Sequence, residues 1–313
     1  MKHFFRAFGL AVAVCAVLAA SAQAGQIRGI VLAHGQHQAS TIGAAVSNLT
    51  YHGGPVMHTN KVFAIYWIPS GFSVQSGYQN TINTFFQNVA ADSGKSSNVY
   101  FSDTQYYDTT NGNILYSSSW GTSVLDTQPY PANGCHDVYT SVCLTDAQIQ
   151  NEIRRLGGVY KGAATGLGTE YFMFTPKNVG SCEFSFGLCA YSYYCAYHSN
   201  FKLANGSQVL YANMPYAAWS PANCGSGQSP NGNDADSTIN VTSHEHNETI
   251  TDPLGTGWLD ATNQEDGDKC AWMFGSPLGG TPGAEYNQVI NGHHYWLQQE
   301  WSNASSGCVL TGT

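Results

Sequence analysis

Histidine and glutamate side chains that could hold a metal ion lie close together in residues 243–253. His244 and Glu248 are four positions apart in a stretch with helical character, so both would project from one face of a helix. Glu245 stands beside His244. An imidazole and a carboxylate on one helical face suit a divalent cation, and a neighbouring carboxylate can act as a base on bound water. The spacing therefore predicts a metal centre with Glu245 as the catalytic residue.

The helix that would carry this motif has recognisable ends. Ser237 is a suitable N-terminal cap. Pro253 ends the helix, because its ring removes a donor and disfavours helical backbone at the preceding residue. The motif resembles the His-Glu-x-x-His helix of zinc peptidases, with Glu248 in place of the second histidine.

A second acidic segment follows the helix at residues 264–270. In zinc peptidases of the gluzincin group, a glutamate beyond the first helix supplies the third ligand, and a carboxylate shortly after it orients a ligating histidine. Glu265 and Asp268 resemble this pair in order and approximate spacing. The resemblance implies His244, Glu248 and Glu265 as metal ligands, with Asp268 in a supporting position.

The ligand set determines which ion fits. Two carboxylates and one imidazole neutralise a dication, so a bound water would be acidified less than under a histidine-rich set. Hard oxygen ligands make Mn²⁺ or Ca²⁺ more competitive with Zn²⁺. We favour Zn²⁺.

Each part of this site has an alternative interpretation. Glu245 and Glu248 could belong to a solvated acidic face, and residues 264–270 to a polar turn or a separate calcium loop. His246 projects away from Glu248 and is expected at the surface or behind a ligand. Three further residues are either structural or stabilise a transition state, the role of a histidine and a tyrosine in gluzincins: His293, His294 and Tyr295.

The N-terminal residues have the pattern of a signal peptide. A basic start is followed by an apolar run at residues 7–20 that is short for a bilayer span, and small residues at Ala22 and Ala24 predict cleavage after Ala24. The predicted organisation is a signal peptide (1–24), a lead-in or short propeptide (25–50) and a single domain (51–313). We expect an exported protein, secreted or periplasmic, without membrane attachment after cleavage.

The cysteine content agrees with export. One of the nine cysteines, Cys15, leaves with the signal, and an even number in an exported chain indicates disulfides. Connectivity stays open, but Cys135–Cys143 would close a short loop and Cys270–Cys308 would tie the tail to the motif region. The mature cysteines are Cys135, Cys143, Cys182, Cys189, Cys195, Cys224, Cys270 and Cys308.

Periodicity predicts a layered domain of mixed composition. Residues 61–69 read as a buried central strand, and helical spacing appears at 79–91 and from 145. Further strands are predicted at residues 100–107, 114–119, 169–175, 194–202 and 208–212. Helices packed on a mixed sheet give an α+β or α/β fold, and zincin peptidases are one such layered class.

Several short motifs occur in a consistent order from about residue 51 to the C-terminus. They lie at residues 51–56, 189–198, 211–225, 251–258 and 286–292, and at Cys308. Together they resemble the phosphate-induced (EXORDIUM-like) secreted proteins, whose plant members are cell-wall or apoplast proteins associated with growth. The resemblance implies secretion and a single domain. This chain departs from those members in carrying the His-Glu-x-x-Glu helix.

Two classes of function follow. The first is a secreted metal-dependent hydrolase, a zinc metallopeptidase acting on peptide or protein substrates with Glu245 as general base. The second is a non-catalytic extracellular interaction protein associated with cell wall or glycan. The net charge of −9 becomes about −11 once Lys2 and Arg6 are removed, and no basic patch with interleaved aromatics occurs, so nucleic acid is not an expected partner.

Overall fold

Four stretches of the chain are described by the computed structural model: residues 28–36, 47–157, 165–183 and 188–313. The predicted signal peptide (1–24) lies outside the described residues, as does half of the predicted lead-in. The described part of that lead-in begins with a β-strand, which bears on the functional site below.

Strands and helices alternate irregularly along the described residues. The strands are β1 (Arg28–Leu32), β2 (Thr50–Tyr51), β3 (Asn60–Trp67), β4 (Tyr107–Asp108), β5 (Gly112–Asn113), β6 (Ser118–Asp126), β7 (Val142–Thr145), β8 (Thr169–Phe174), β9 (Val179–Glu183), β10 (Leu188–Cys189), β11 (Tyr194–Lys202), β12 (Gln208–Met214), β13 (Trp258–Leu259), β14 (Gln288–Ile290), β15 (His293–Tyr295), β16 (Glu300–Ser302) and β17 (Gly307–Val309). The α-helices are α1 (Tyr78–Ala91), α2 (Asp146–Gly157), α3 (Pro221–Cys224) and α4 (Ala235–Thr251).

A six-stranded mixed sheet forms the centre of the fold, with strand order β1-β11-β12-β8-β3-β6. The strands from β12 to β6 are parallel to their neighbours, whereas β1, β11 and β12 form an antiparallel run. This arrangement confirms the predicted α+β single domain with a mixed sheet.

Helices cover both faces of the sheet. Phe172 on β8 packs against Phe86 of α1 and His246 of α4, with ring centroids 4.9 and 5.5 Å apart. Tyr211, on the neighbouring strand β12, points to the other face and accepts a hydrogen bond from Gln150 of α2 at 3.2 Å. Because both faces are covered, β8 is buried at every position, and its residues 171–174 are all apolar or aromatic rather than alternating with polar ones.

The strand predicted at residues 100–107 is wrong. Val99–Gln105 is a 3-10 helix, which begins where the side chain of Asn98 accepts a hydrogen bond from the backbone N–H of Tyr100. Two of its polar residues, Ser102 and Asp103, are buried, so exposure does not alternate as it would in a half-buried strand. The strand predicted at 114–119 overlaps β6, but β6 begins at Ser118, four residues later than predicted.

Four disulfides join the eight cysteines outside the predicted signal peptide: Cys135–Cys143, Cys182–Cys189, Cys195–Cys224 and Cys270–Cys308. Both predicted pairs are confirmed. Cys270–Cys308 ties the segment after α4 to β17, and Cys195–Cys224 ties β11 to α3. These two disulfides therefore brace β11 and the segment after α4, both of which position the candidate site.

No helix among the described residues is long and apolar enough to cross a bilayer.

Candidate metal centre

Helix α4 carries the predicted motif and is buried at every position except Ser237. It begins two residues before Ser237, so the predicted N-terminal cap at that serine is wrong. Asp236 in the first turn accepts backbone N–H groups from Asn231 and Asn233 at 3.1 and 3.2 Å, which places a carboxylate at the positive end of the helix. The helix ends at Thr251, as the proline two residues later predicts.

Two overlapping sets of possible metal ligands meet at Glu248. In each set, one ligand atom from every residue lies within 4.8 Å of the others. One set is His198, Glu248 and Glu265, and the other is His244, Glu248 and Asp268. A third group, Cys135, Cys143 and Cys182, consists of disulfide-bonded cysteines and offers no thiolate.

The two oxygens of Glu248 face different histidines. Its Oε1 lies 2.9 Å from Nε2 of His244, and its Oε2 lies 3.6 Å from Nδ1 of His198. The backbone N–H of Asp268 donates to Oε1 at 2.8 Å, which fixes the carboxylate relative to the following loop. Glu248 can therefore serve either ligand set, or bridge both.

The predicted ligands His244, Glu248 and Glu265 are thus distributed over the two sets. Glu265 approaches Nε2 of His198 at 3.6 Å rather than joining His244. Asp268, predicted to support a ligand, completes the set around His244. The structure brings all four predicted residues to one place but pairs them differently from the gluzincin-like order.

Several ligand atoms in the cluster lack a hydrogen-bond partner among the described residues. They are both ring nitrogens of His244, Oε2 of Glu248 and both carboxylate oxygens of Glu265. Although Nε2 of His244 lies close to Glu248, the ring does not direct it at the carboxylate as a hydrogen bond requires. Buried polar atoms without partners are costly, and a cation between them would satisfy them.

Two glycines let the backbone approach the ligands. A Cβ at Gly267 would lie 2.8 Å from Nε2 of His244 and 2.9 Å from Oε1 of Glu248. A Cβ at Gly29 would lie 1.9 Å from Cε1 of His198. Side chains at these two positions would overlap the cluster, so glycine is required at both for packing reasons.

Glu245 belongs to neither ligand set but lies directly beside them. Its Oε2 is 3.2 Å from Nδ1 of His198, and its Oε1 accepts the backbone N–H of Val31 at 3.2 Å. A carboxylate held next to ligands without being one occupies the position of a general base.

The charges of the cluster shift its titrations strongly. Burial would lower the pKa of both histidines, but the carboxylates outweigh it: Glu248 raises the pKa of His244 to about 9, and Glu265 and Glu245 raise that of His198 well above its usual value. Burial raises the pKa of Glu245 to about 7 and that of Glu265 well above the ordinary range. Without a cation, protons bound to these histidines and carboxyl groups must therefore offset the negative charge of the site.

His246 is buried, not at the surface as one predicted alternative had it. Its ring contacts Tyr100 and Phe172, and its nitrogens lie 3.2 Å from the Tyr100 hydroxyl and from Oδ1 of Asn60. Burial lowers its pKa to about 3, so it is a neutral core histidine.

The predicted transition-state residues lie on strand β15 and join neither ligand set. His293 and His294 are exposed, and His294 stacks on Tyr286 with ring centroids 3.7 Å apart. Tyr295 is buried and accepts a hydrogen bond from Asn88 of α1 at 2.6 Å. These contacts support the structural interpretation of the three residues.

One buried residue of the site, His198 in the middle of β11, could not be found from spacing. Glu170 on β8 is a second fully buried ionisable residue, but it belongs to neither ligand set, and Thr249 of α4 donates to it at 2.7 Å. The sequence signal at both positions is an ionisable residue inside a predicted strand, and buried ionisable groups are candidates for functional roles.

No protein-family model, curated protein or solved structure matches the chain. The resemblances to gluzincins and to EXORDIUM-like proteins therefore remain predictions, and the site has to be interpreted from its own geometry.

The acidic surroundings of the site predict an unusual pH dependence for metal-free protein. Burial, reinforced by the Glu248 carboxylate, raises the pKa of Asp266 from 3.8 to about 7. Between these values the folded protein keeps a proton that the unfolded chain has released, so the free energy of unfolding falls as pH rises. In chelator-treated protein we expect the titration of Asp266 to lower the free energy of unfolding by on the order of 4 kcal/mol between about pH 4 and pH 7.

Denaturant unfolding at a series of pH values measures this loss. Asp266→Asn should flatten the decline, because the amide has no proton to release. Asp260→Asn is the matched control: burial opposes ionisation there, but hydrogen bonds from Thr262 and Gln264 lower the pKa of Asp260, so its loss should leave the decline above pH 5 unchanged. An equally steep decline in Asp266→Asn would contradict the assignment.

Proposed function

We propose that this protein is a secreted metal-dependent hydrolase, a zinc metallopeptidase in which Glu245 is the general base. One observation carries the proposal: two ligand sets share Glu248, and a carboxylate that belongs to neither set lies beside them. The four disulfides support the exported location.

The donor atoms fit a divalent cation. Four carboxylates at this site could each carry a negative charge: Glu245, Glu248, Glu265 and Asp268. All except Asp268 are at most 2 % exposed, and two imidazoles cannot balance four negative charges. One imidazole in each set favours Zn²⁺ over Ca²⁺, which prefers six to eight oxygen ligands, while Mn²⁺ remains compatible.

The chain's own residues account for the proton transfers. A bound cation would supply positive charge for the carbonyl oxygen of the substrate. Glu245, which belongs to neither ligand set, can take a proton from the attacking water and return it to the leaving amine. His198 positions Glu245 through the 3.2 Å contact to Oε2.

A second candidate is a non-catalytic extracellular protein with a structural metal, associated with cell wall or glycan. It is favoured by the burial of the centre: His244, Glu245 and Glu248 are fully enclosed in the described structure. A structural metal site is closed, whereas a catalytic one keeps a position open to water and substrate.

Hydrolysis assays separate the two candidates. Purified, fully oxidised protein would be loaded with Zn²⁺ and incubated with a panel of unstructured peptides and with soluble cell-wall glycans, with and without a chelator. The hydrolase proposal predicts peptide cleavage that a chelator removes and added Zn²⁺ restores. Stable metal binding with no cleavage of any peptide, combined with glycan binding, would favour the second candidate.

A further inference from the structure

We propose that the edge of β11 beside α4 is a binding groove for extended peptides, and that β1 of the same chain occupies it. The inference rests on the proposed function for the chemistry of the site, and it adds the class of substrate and the way it binds. It also explains why a catalytic centre would be buried.

Strand β1 is added to the edge of the central sheet. It pairs antiparallel with β11 alone, with Ile30 opposite Tyr197 and Val31 opposite Ala196. Without β1, the backbone of β11 would be a free edge next to the helix that carries the motif. An exposed edge of this kind binds extended peptides by continuing the sheet, and main-chain hydrogen bonds supply the affinity.

The backbone of β1 passes directly over the ligand cluster. The pairing shifts between Arg28 and Ile30, and the intervening Gly29 has φ +51°. A Cβ there would meet His198 at 1.9 Å and Oε2 of Glu248 at 2.7 Å. The bulge at Gly29 therefore presses main chain, rather than a side chain, against the candidate metal ligands.

The same strand presents a peptide group to the proposed base. The N–H of Val31 donates to Oε1 of Glu245 at 3.2 Å. A general base that returns a proton to a leaving amine must reach the amide nitrogen of the bond that breaks. The Ile30–Val31 peptide unit is thus placed as a substrate's peptide bond would be.

The groove also has a side-chain preference. Val31 is fully buried, whereas Ile30 and Leu32 are partly exposed. The carbonyl of Leu32 accepts a hydrogen bond from Trp272 Nε1 at 2.8 Å, which fixes the strand beyond this position. We expect bound peptides to carry a β-branched apolar residue at the place of Val31.

Peptide binding tests the groove without depending on catalysis. The probe is a fluorescent peptide copying residues 28–36, and the readout is fluorescence anisotropy with full-length wild type, Val31→Pro and Val31→Ala. Proline removes the N–H that Glu245 accepts and constrains the strand, whereas alanine keeps the backbone donor. We expect Val31→Pro to bind the probe at least about tenfold more tightly than wild type, because the competing intramolecular strand is weakened.

Val31→Ala should bind the probe less tightly than Val31→Pro, because it keeps the backbone donor and loses only part of the buried side chain. A probe with proline at the place of Val31 should not bind any of the three proteins. Equal affinity of wild type and Val31→Pro, or undiminished binding of the proline-containing probe, would overturn the inference. If Val31→Pro does not fold, hydrogen exchange on wild type gives the answer: excess probe should accelerate exchange of the Val31 amide by displacing β1, and unchanged exchange would refute displacement.

The groove proposal and the hydrolase proposal can fail separately, because probe binding is measured both with a chelator and with Zn²⁺. Probe binding to Val31→Pro with no hydrolysis in any assay would sustain the groove and remove the peptidase. Metal-dependent hydrolysis with no gain in probe binding would sustain the peptidase and remove the groove.

Discussion

Glu245→Gln is expected to keep its metal and its fold while losing peptide hydrolysis by roughly 10²–10⁴-fold, the usual contribution of a general base. Glutamine has nearly the same shape, and its carbonyl oxygen can still accept the Val31 N–H that Oε1 of Glu245 accepts in the wild type. It cannot take a proton from water. The measurements are the hydrolysis rate at saturating Zn²⁺ and the metal content of the same sample.

Glu170→Gln is the matched control for this substitution. Glu170 is another fully buried carboxyl group facing α4, and burial raises its pKa well above the ordinary range, which favours the neutral acid. Glutamine has nearly the shape of that acid, and Glu170 belongs to neither ligand set, so the substitution should leave the rate within about twofold of wild type. If Glu245→Gln retained a comparable rate, Glu245 would not be the base.

Glu248→Ala is expected to abolish metal binding, because it removes the one residue that both ligand sets share. Zn²⁺ at about 100 times its dissociation constant should stabilise the wild type by about 2.7 kcal/mol, and this gain should disappear in the variant. Thermal unfolding with Zn²⁺ and with chelator measures the difference. A variant that still gains stability from Zn²⁺ would show that the ion binds elsewhere.

Single substitutions at the outer ligands separate the two sets. Glu265→Gln weakens only the set with His198, and Asp268→Asn only the set with His244. If one ion uses one set, one of these variants should lose nearly all the affinity and the other little. If Glu248 bridges two ions, each variant should lose one equivalent of metal.

The local part of the site could be predicted from the sequence, because helical geometry alone places His244 and Glu248 on one face. The acidic residues after α4 follow closely along the chain, so their arrival near the helix could also be expected. His198 could not be predicted in the same way: it reaches Glu245 from 47 residues away, through the order of strands in the sheet. Strand order depends on non-local pairing, which local patterns do not encode.

The fold was predictable to a similar extent. Strands β3, β8 and β11 are long β-rich runs, and their positions agree with the predictions. The region around Tyr100 was misassigned because its aromatic residues are buried by tertiary contacts, including that of Tyr100 with His246. The placement of β1 over the candidate metal ligands was equally hidden, since nothing in residues 25–50 indicates which strand edge they would join.

Metal analysis of the purified, fully oxidised protein tests the central claim most directly. After exposure to Zn²⁺ and dialysis into metal-free buffer, elemental analysis should find at least one tightly bound equivalent per chain in the wild type and none in Glu248→Ala. Wild-type protein that retains no divalent cation, or a Glu248→Ala variant that retains as much as the wild type, would contradict a metal centre at Glu248.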